Sequence, residues 1–165
     1  MITVTALIPD DWPRWRELRL AALADAPYAF ASRLADWQGE HDRPERWRGV
    51  LELPGSHNLV AELDGVPAGQ CRGGLGETAG TAGLFSMWVA PAARGRGVAD
   101  RLIAEIEGWA VRADAHELEL GVTEGNAAAI ALYRRHGFHD TGRRESLPDG
   151  VRAELVMSKP LTASR

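Results

Sequence analysis

The stretch Gly83 to Asp100, GLFSMWVAPAARGRGVAD, constrains the fold more than any other part of the chain. Leu84 to Val89 is an apolar run that reads as a strand, and Ala90 to Ala93 holds a proline turn. Arg94-Gly95-Arg96-Gly97-Val98-Ala99 is then a glycine-rich loop that opens a helix. A strand feeding such a loop leaves several backbone N–H groups unpaired at a helix N-terminus, where the helix dipole adds positive charge. The guest this geometry suits is a phosphate or pyrophosphate.

Three phosphate-binding patterns compete for the loop. The P-loop of nucleotide hydrolases needs Gly-Lys-Ser/Thr, and here Gly97 is followed by Val98 and Ala99, so that reading fails. A dinucleotide fingerprint is partly met by Gly95-x-Gly97-x-x-Asp100 with Glu119 about 20 residues on, but Asp100 stands where helix–strand packing wants glycine. The third pattern, R/Q-x-x-G-x-G/A, is matched by Arg94-x-x-Gly97-x-Ala99.

A second motif decides between them. Asn126 opens a helical run, Tyr133 follows two turns later, and Gly137-Phe138 closes it. Together with the Arg94 loop, in this order and with a helix and a strand between, the chain resembles the GNAT superfamily of acyl-CoA-dependent N-acetyltransferases. The resemblance covers about Val60 to Leu161 well and the first 55 residues loosely. It implies an α/β (α+β) fold: a mixed, mostly antiparallel central sheet of six to seven strands flanked by helices, with two splayed parallel strands forming an acetyl-CoA cleft.

The local patterns agree with that architecture. Ile2 to Thr5 alternates as a strand, and Pro9 to Pro13 supplies helix-start chemistry ahead of Trp15, Leu18, Leu20, Ala21 and Leu23. A short helical piece is expected from Tyr28 to near Gly39, and another from Pro44 to Leu51. Asn58–Leu63 and Val66–Arg72 flank Asp64-Gly65, a two-residue hairpin signal. Gly73 to Gly83 reads as a loose glycine-rich connection. Val98, Leu102, Ile103 and Ile106 recur at helical spacing, and His116–Val122 returns as a strand, which predicts a parallel right-handed βαβ unit. Phe138–Leu147 and Val151–Ser158 read as a final hairpin.

By resemblance, backbone groups of Met87 and Val89 hold the pantetheine arm, with Trp88 between them facing the other side of the sheet. Arg94, Gly95, Arg96, Gly97, Val98 and Ala99 take the pyrophosphate. Tyr133 is the expected general acid for the departing thiolate. Asn126 caps its helix and, by resemblance, also touches the CoA arm. Acetyl-CoA is the expected co-substrate, with no metal. The N-terminal helical region, about residues 9–55, is expected to form the acceptor wall of a single domain spanning 1–165, with Tyr28, Phe30, Trp37, His41 and Trp47 as candidates and the acyl-CoA core at about 56–161. Arg19, in an otherwise apolar helix, suits either an acceptor carboxylate or a surface position.

One residue departs from the family's pattern: by resemblance, Gly83 stands where many relatives carry a Glu as general base. Ser86 through water, Glu119, Glu124 and Glu154 are the substitutes, or an amine of lowered pKa that needs no strong base. The missing Glu keeps a rival open, a non-catalytic acyl-CoA-binding or dinucleotide-binding regulatory domain. Tyr133 argues against it, because a mere binder needs no thiolate acid.

Charge and cysteine usage narrow the partners. The net charge is -4 with no basic block beyond short arginine clusters, which disfavours nucleic acid. No apolar run approaches the roughly 18 residues of a membrane span, and Met1-Ile-Thr-Val-Thr lacks signal-peptide features. Cys71 is the sole cysteine and suits a small core position. The expected partner is a small-molecule or peptide amine, in the cytoplasm, with a homodimer left open.

Overall fold

A computed structural model describes residues 1–162. Its centre is a seven-stranded sheet in the order β1-β2-β3-β4-β5-β7-β6. The strands are β1 (Ile2–Ala6), β2 (Ser56–Leu63), β3 (Val66–Leu75), β4 (Thr81–Val89), β5 (Glu117–Thr123), β6 (His139–Ser146) and β7 (Ala153–Pro160). Every neighbouring pair is antiparallel except β4–β5. Helices α1 (Trp12–Asp25) and α2 (Pro44–Leu51) cover one face, and α3 (Val98–Arg112) and α4 (Ala127–Arg135) the other. No helix among the described residues is long and apolar enough to cross a membrane.

Two apolar layers follow from strand alternation. Leu59 and Ala61 of β2 and Leu118, Leu120 and Val122 of β5 meet Val98, Leu102, Ile103, Ile106 and Ala110 of α3. Val60 points the other way, into a layer built from Trp15, Leu18, Ala22 and Leu23 of α1 and Trp47 and Leu51 of α2. Asp42 braces the second layer: it accepts Arg16 Nε at 2.8 Å and the Trp47 indole N–H at 2.7 Å.

The Asp64-Gly65 turn is a tight hairpin with φ +52° and +83°, joining Leu63 to Val66 in register. Two expectations are corrected. Gly73 and Gly74 do not loop: they continue β3, paired with Leu84 and Gly83. They are small because helix and strand close on them; a Cβ at Gly73 would sit 2.5 Å from the Trp109 ring. In place of one helical piece after Tyr28 there are three separate 3-10 turns, Pro27–Ala29, Leu34–Trp37 and Gly39–His41. Phe30 is extended and Gly39 has φ +62°, which interrupts any continuous helix.

Candidate active site

The site grows from a defect in β4. The register runs from Arg72↔Phe85 to Gln70↔Trp88, so Cys71 faces both Ser86 and Met87, and Ser86 takes φ +56°. This bulge reverses the alternation. Leu84 packs on the α3 side, but Trp88, four residues on, packs on the α1 side, while Met87 and Val89 rest against the α3 side. Trp88 is held there by its indole N–H, which donates to Asp25 Oδ2 at 3.0 Å.

Strands β4 and β5 then part. They pair from Thr81↔Glu117 to Leu84↔Leu120, after which β5 continues alongside β7 to Thr123 and leaves the β5-facing edge of Phe85–Val89 free. A cavity of about 510 Å³ runs along that edge, from Met87, Trp88 and Val89 to Arg94, Gly95, Gly97, Val98 and Ala99. Gly95 and Gly97 have φ +76° and +87°, and a Cβ at Gly95 would meet nothing within 4 Å. Gly97 is the N-cap of the 15-residue α3, and no side chain caps that terminus. An uncapped helix start beside an open glycine turn fits the pyrophosphate of a coenzyme A nucleotide.

Not every basic residue of the loop points at this cavity. Arg94 is tied down: its Nη2 lies 2.7 Å from Asp25 Oδ2 and its Nε donates to the Val89 carbonyl at 3.1 Å. Arg96 is exposed and does not line the cavity. Asp100 bonds His136 Nε2 at 2.7 Å and Arg135 Nη2 at 3.2 Å, fastening the start of α3 to the end of α4.

A second cavity, of about 440 Å³, lies toward the α1 face, and Phe30, Met87, Asn126, Ala129 and Tyr133 line both. Asn126 Oδ1 accepts the Ala129 N–H at 3.4 Å, capping α4. Tyr133, 8% exposed, packs edge-on to Phe138 at 5.9 Å. Burial, reinforced by nearby Cys71, pushes its phenol well above the usual range, so it is protonated at neutral pH. Cys71 is fully buried in the α3-side core and burial pushes its thiol up too, which removes thiolate character.

The candidate wall residues separate. Phe30 is buried between both cavities. Tyr28 is 60% exposed and lines neither. Trp37 packs at a tilt against Trp47 at 4.6 Å and lies under Arg46 at 3.8 Å, away from the cavity linings, as is His41. Arg19 is not a surface arginine. It lies on the buried α1 stripe of Trp15, Leu18, Ala22 and Leu23, only 8% exposed, over the Phe30 ring at 4.7 Å. Its spacing from Trp15 and Ala22 carried that signal in the sequence.

The candidate bases also separate. A Cβ at Gly83 would stand 2.6 Å from the Phe85 ring, which occupies the space a carboxylate would need. Glu119 lines the second cavity but pairs with Arg143 at 2.8 Å; Glu124 pairs with Arg144 and does not line it. Glu154 lines the cavity, with its carboxylate leaning over Gly121, where a Cβ would lie 2.3 Å from Oε2. Burial, then the like charge of Glu145, raises its pKa against a smaller opposing effect of Arg152. Ser86 also lines this cavity.

Comparison with known proteins identifies the family and the fold. The model of the acetyltransferase (GNAT) family matches residues 12–138. An IAA acetyltransferase of Azospirillum brasilense is 35% identical over 119 residues, covering 68% of this chain and 72% of its own. A GNAT-family acetyltransferase from Streptococcus pneumoniae superposes with a TM-score of 0.79 at 20% identity, over 98% of this chain and 100% of its own. A PaiA N-acetyltransferase from Thermoplasma acidophilum, solved in complex with coenzyme A, superposes with a TM-score of 0.75 at 18% identity, over 97% and 99% of the two chains. With the family match spanning most of its length, the chain belongs to the GNAT acetyltransferases.

Proposed function

We propose that the protein transfers an acetyl group from acetyl-CoA to a primary amine by direct attack, with both substrates bound together. The observation that carries this reading is the junction of the two cavities at Met87, Asn126 and Tyr133, one leading to the glycine loop and the other to Glu154. Bound acetyl-CoA supplies the activated thioester. The α3 N-terminus and the Gly95–Gly97 turn hold its pyrophosphate, and the free edge of Met87–Val89 offers backbone hydrogen bonds to its arm. Arg94 acts on the loop through Asp25 rather than as a direct phosphate ligand.

In this reading Glu154 takes the proton of the acceptor ammonium, and its raised pKa makes it a better base than an exposed carboxylate. The neutral amine forms the new N–C bond as the C–S bond breaks, and the surplus N–H proton of the new amide passes to water, which in turn restores the Tyr133 phenol. Tyr133 donates its phenolic proton to the leaving sulfur, and a backbone N–H of the β4 edge polarises the carbonyl oxygen. An acceptor screen with thiol detection tests the assignment. Thiol release that depends on both acetyl-CoA and an amine, with a matching acetylated product, is expected; tight CoA binding with no transfer to any amine would favour a binding module.

A further inference from the structure

Among the described residues, Arg19 is the only charged residue that is buried. Its Nη1 has no hydrogen-bond partner. Arg72 is its neighbour across the packing of α1 on β3. Cys71 points into the α3 side, so Arg72 points to the α1 side, where Gln70 Nε2 donates to the Trp15 carbonyl at 3.2 Å. Arg72 lies over the Phe85 ring at 4.9 Å, and no carboxylate lies within ion-pair distance of either guanidinium among the described residues. Burial, with Arg72 alongside, lowers the Arg19 pKa to about 10, so it keeps its charge at neutral pH.

Two adjacent cations with no counter-ion are costly, because each gives up hydration without gaining a partner charge. The aromatic faces of Phe30 and Phe85 offset part of that cost, and both rings line the second cavity. Arg19 and Arg72 both line that cavity, whereas neither lines the cavity of the glycine loop, so coenzyme phosphates do not supply the missing anion. The same cavity carries the opposite charge elsewhere, from Glu154, Glu145 and Glu119. A cationic end and an acidic end in one chamber match a molecule with an anion at one end and an amine at the other.

We propose that the acceptor is an amino carboxylate, with its carboxylate held by Arg19 and Arg72 and its amine presented toward Glu154 and the Met87–Tyr133 junction. This deepens, and rests on, the acetyl-transfer reading. Phe30 and Phe85 would fix the planes of the two guanidiniums, which orients their N–H groups for a two-oxygen anion.

The test compares small amino carboxylic acids with their own carboxamides, by calorimetry on the CoA-loaded protein and by thiol release from acetyl-CoA. The carboxamide's amine is the less basic, so chemistry alone favours it. The expected result is kcat/KM about 10–100-fold higher for the acid, the value of a charge-assisted hydrogen bond. Arg72→Gln is expected to erase that ratio while CoA affinity stays at the wild-type value. Arg19→Lys, which keeps the charge and most of the side-chain volume, is expected to reduce it. Equal handling of acid and amide, or no binding by any acid of the panel, overturns the proposal. CoA binding in the same samples separates the two readings: if it persists, only the carboxylate assignment falls, and if it is absent, the acetyl-transfer reading falls as well.

Discussion

Arg94 Nη2 lies 2.7 Å from Asp25 Oδ2, which joins the first residue of the glycine loop to the last residue of α1. The same carboxylate oxygen accepts the Trp88 indole N–H, so one side chain fixes the loop, the end of α1 and the strand between them. The Trp88 N–H, then Arg94, hold Asp25 below the usual carboxylate value of 3.8. Its contribution is therefore present above that value and lost as pH falls through the lower folded pKa. Asp25→Ala is expected to cost about 1–2 kcal/mol in urea unfolding, because an indole donor loses its partner and the ion pair is partly screened. The same variant should raise KM for acetyl-CoA with kcat near wild type. Unchanged stability and KM would show that the tether is incidental.

Tyr133→Phe keeps the ring and its contact with Phe138 while removing the acidic O–H. Turnover is expected to fall by about 10²–10⁴-fold with CoA affinity and Tm nearly unchanged. A wild-type rate under single-turnover conditions would leave the thiolate without this acid.

Glu154→Gln is expected to lower turnover by a similar factor of about 10²–10⁴ and to remove the limb of the pH–rate profile that rises above the ordinary carboxylate range. Stability should move the other way. A glutamate whose folded pKa is raised contributes stability that is complete below its ordinary value of 4.5 and is lost as pH rises through the folded pKa. The Gln variant should thus melt higher than wild type at pH 7, by about 2–4 °C for each kcal/mol, and the difference should vanish in acid. An unchanged pH–rate profile would move the base elsewhere.

Gly97 has φ +87°, so any side chain there is strained, and Gly97→Ala and Gly97→Asp should each lose about 1–2 kcal/mol. Only the aspartate also places a negative charge at the α3 N-terminus. Calorimetric titration is expected to show CoA binding weakened in the alanine variant and abolished in the aspartate variant. Equal affinities would place the pyrophosphate elsewhere.

Gly83→Glu, which places a carboxylate where the family resemblance expects a base, should not improve catalysis. The new Cβ falls 2.6 Å from the Phe85 ring and forces it outward, away from Arg72. Reduced Tm is expected, with part of the loss recovered on adding Phe85→Ala. A faster single variant would mean that the ring yields at no cost.

Local chemistry determined much of this protein from its sequence alone. The Asp64-Gly65 hairpin needs two positive φ angles, the α3 stripe needs Val98, Leu102, Ile103 and Ile106 on one face, and Asn126 is a side chain that can cap its own helix; each is settled within a few residues. The GNAT resemblance rested on two such local motifs, and the parallel β4–β5 pair followed from the helix between them. Tertiary packing decided the rest. Gly73 and Gly74 look like loop residues in sequence but lie in a strand paired with β4, where Trp109 closes on Gly73 and Phe85 on Gly74. The bulge at Ser86 is invisible in an apolar run, yet it sends Leu84 and Trp88 to opposite faces and opens the edge beside the cavity. Glu119, Glu124 and Glu154 are equivalent as letters; they differ because Arg143 and Arg144 neutralise the first two, while Gly121 leaves room for the third to lean into a half-buried site. Arg19 lay in plain view on an apolar stripe. Its lack of a counter-ion could be seen only once β3 had brought Arg72, rather than a carboxylate, to its side.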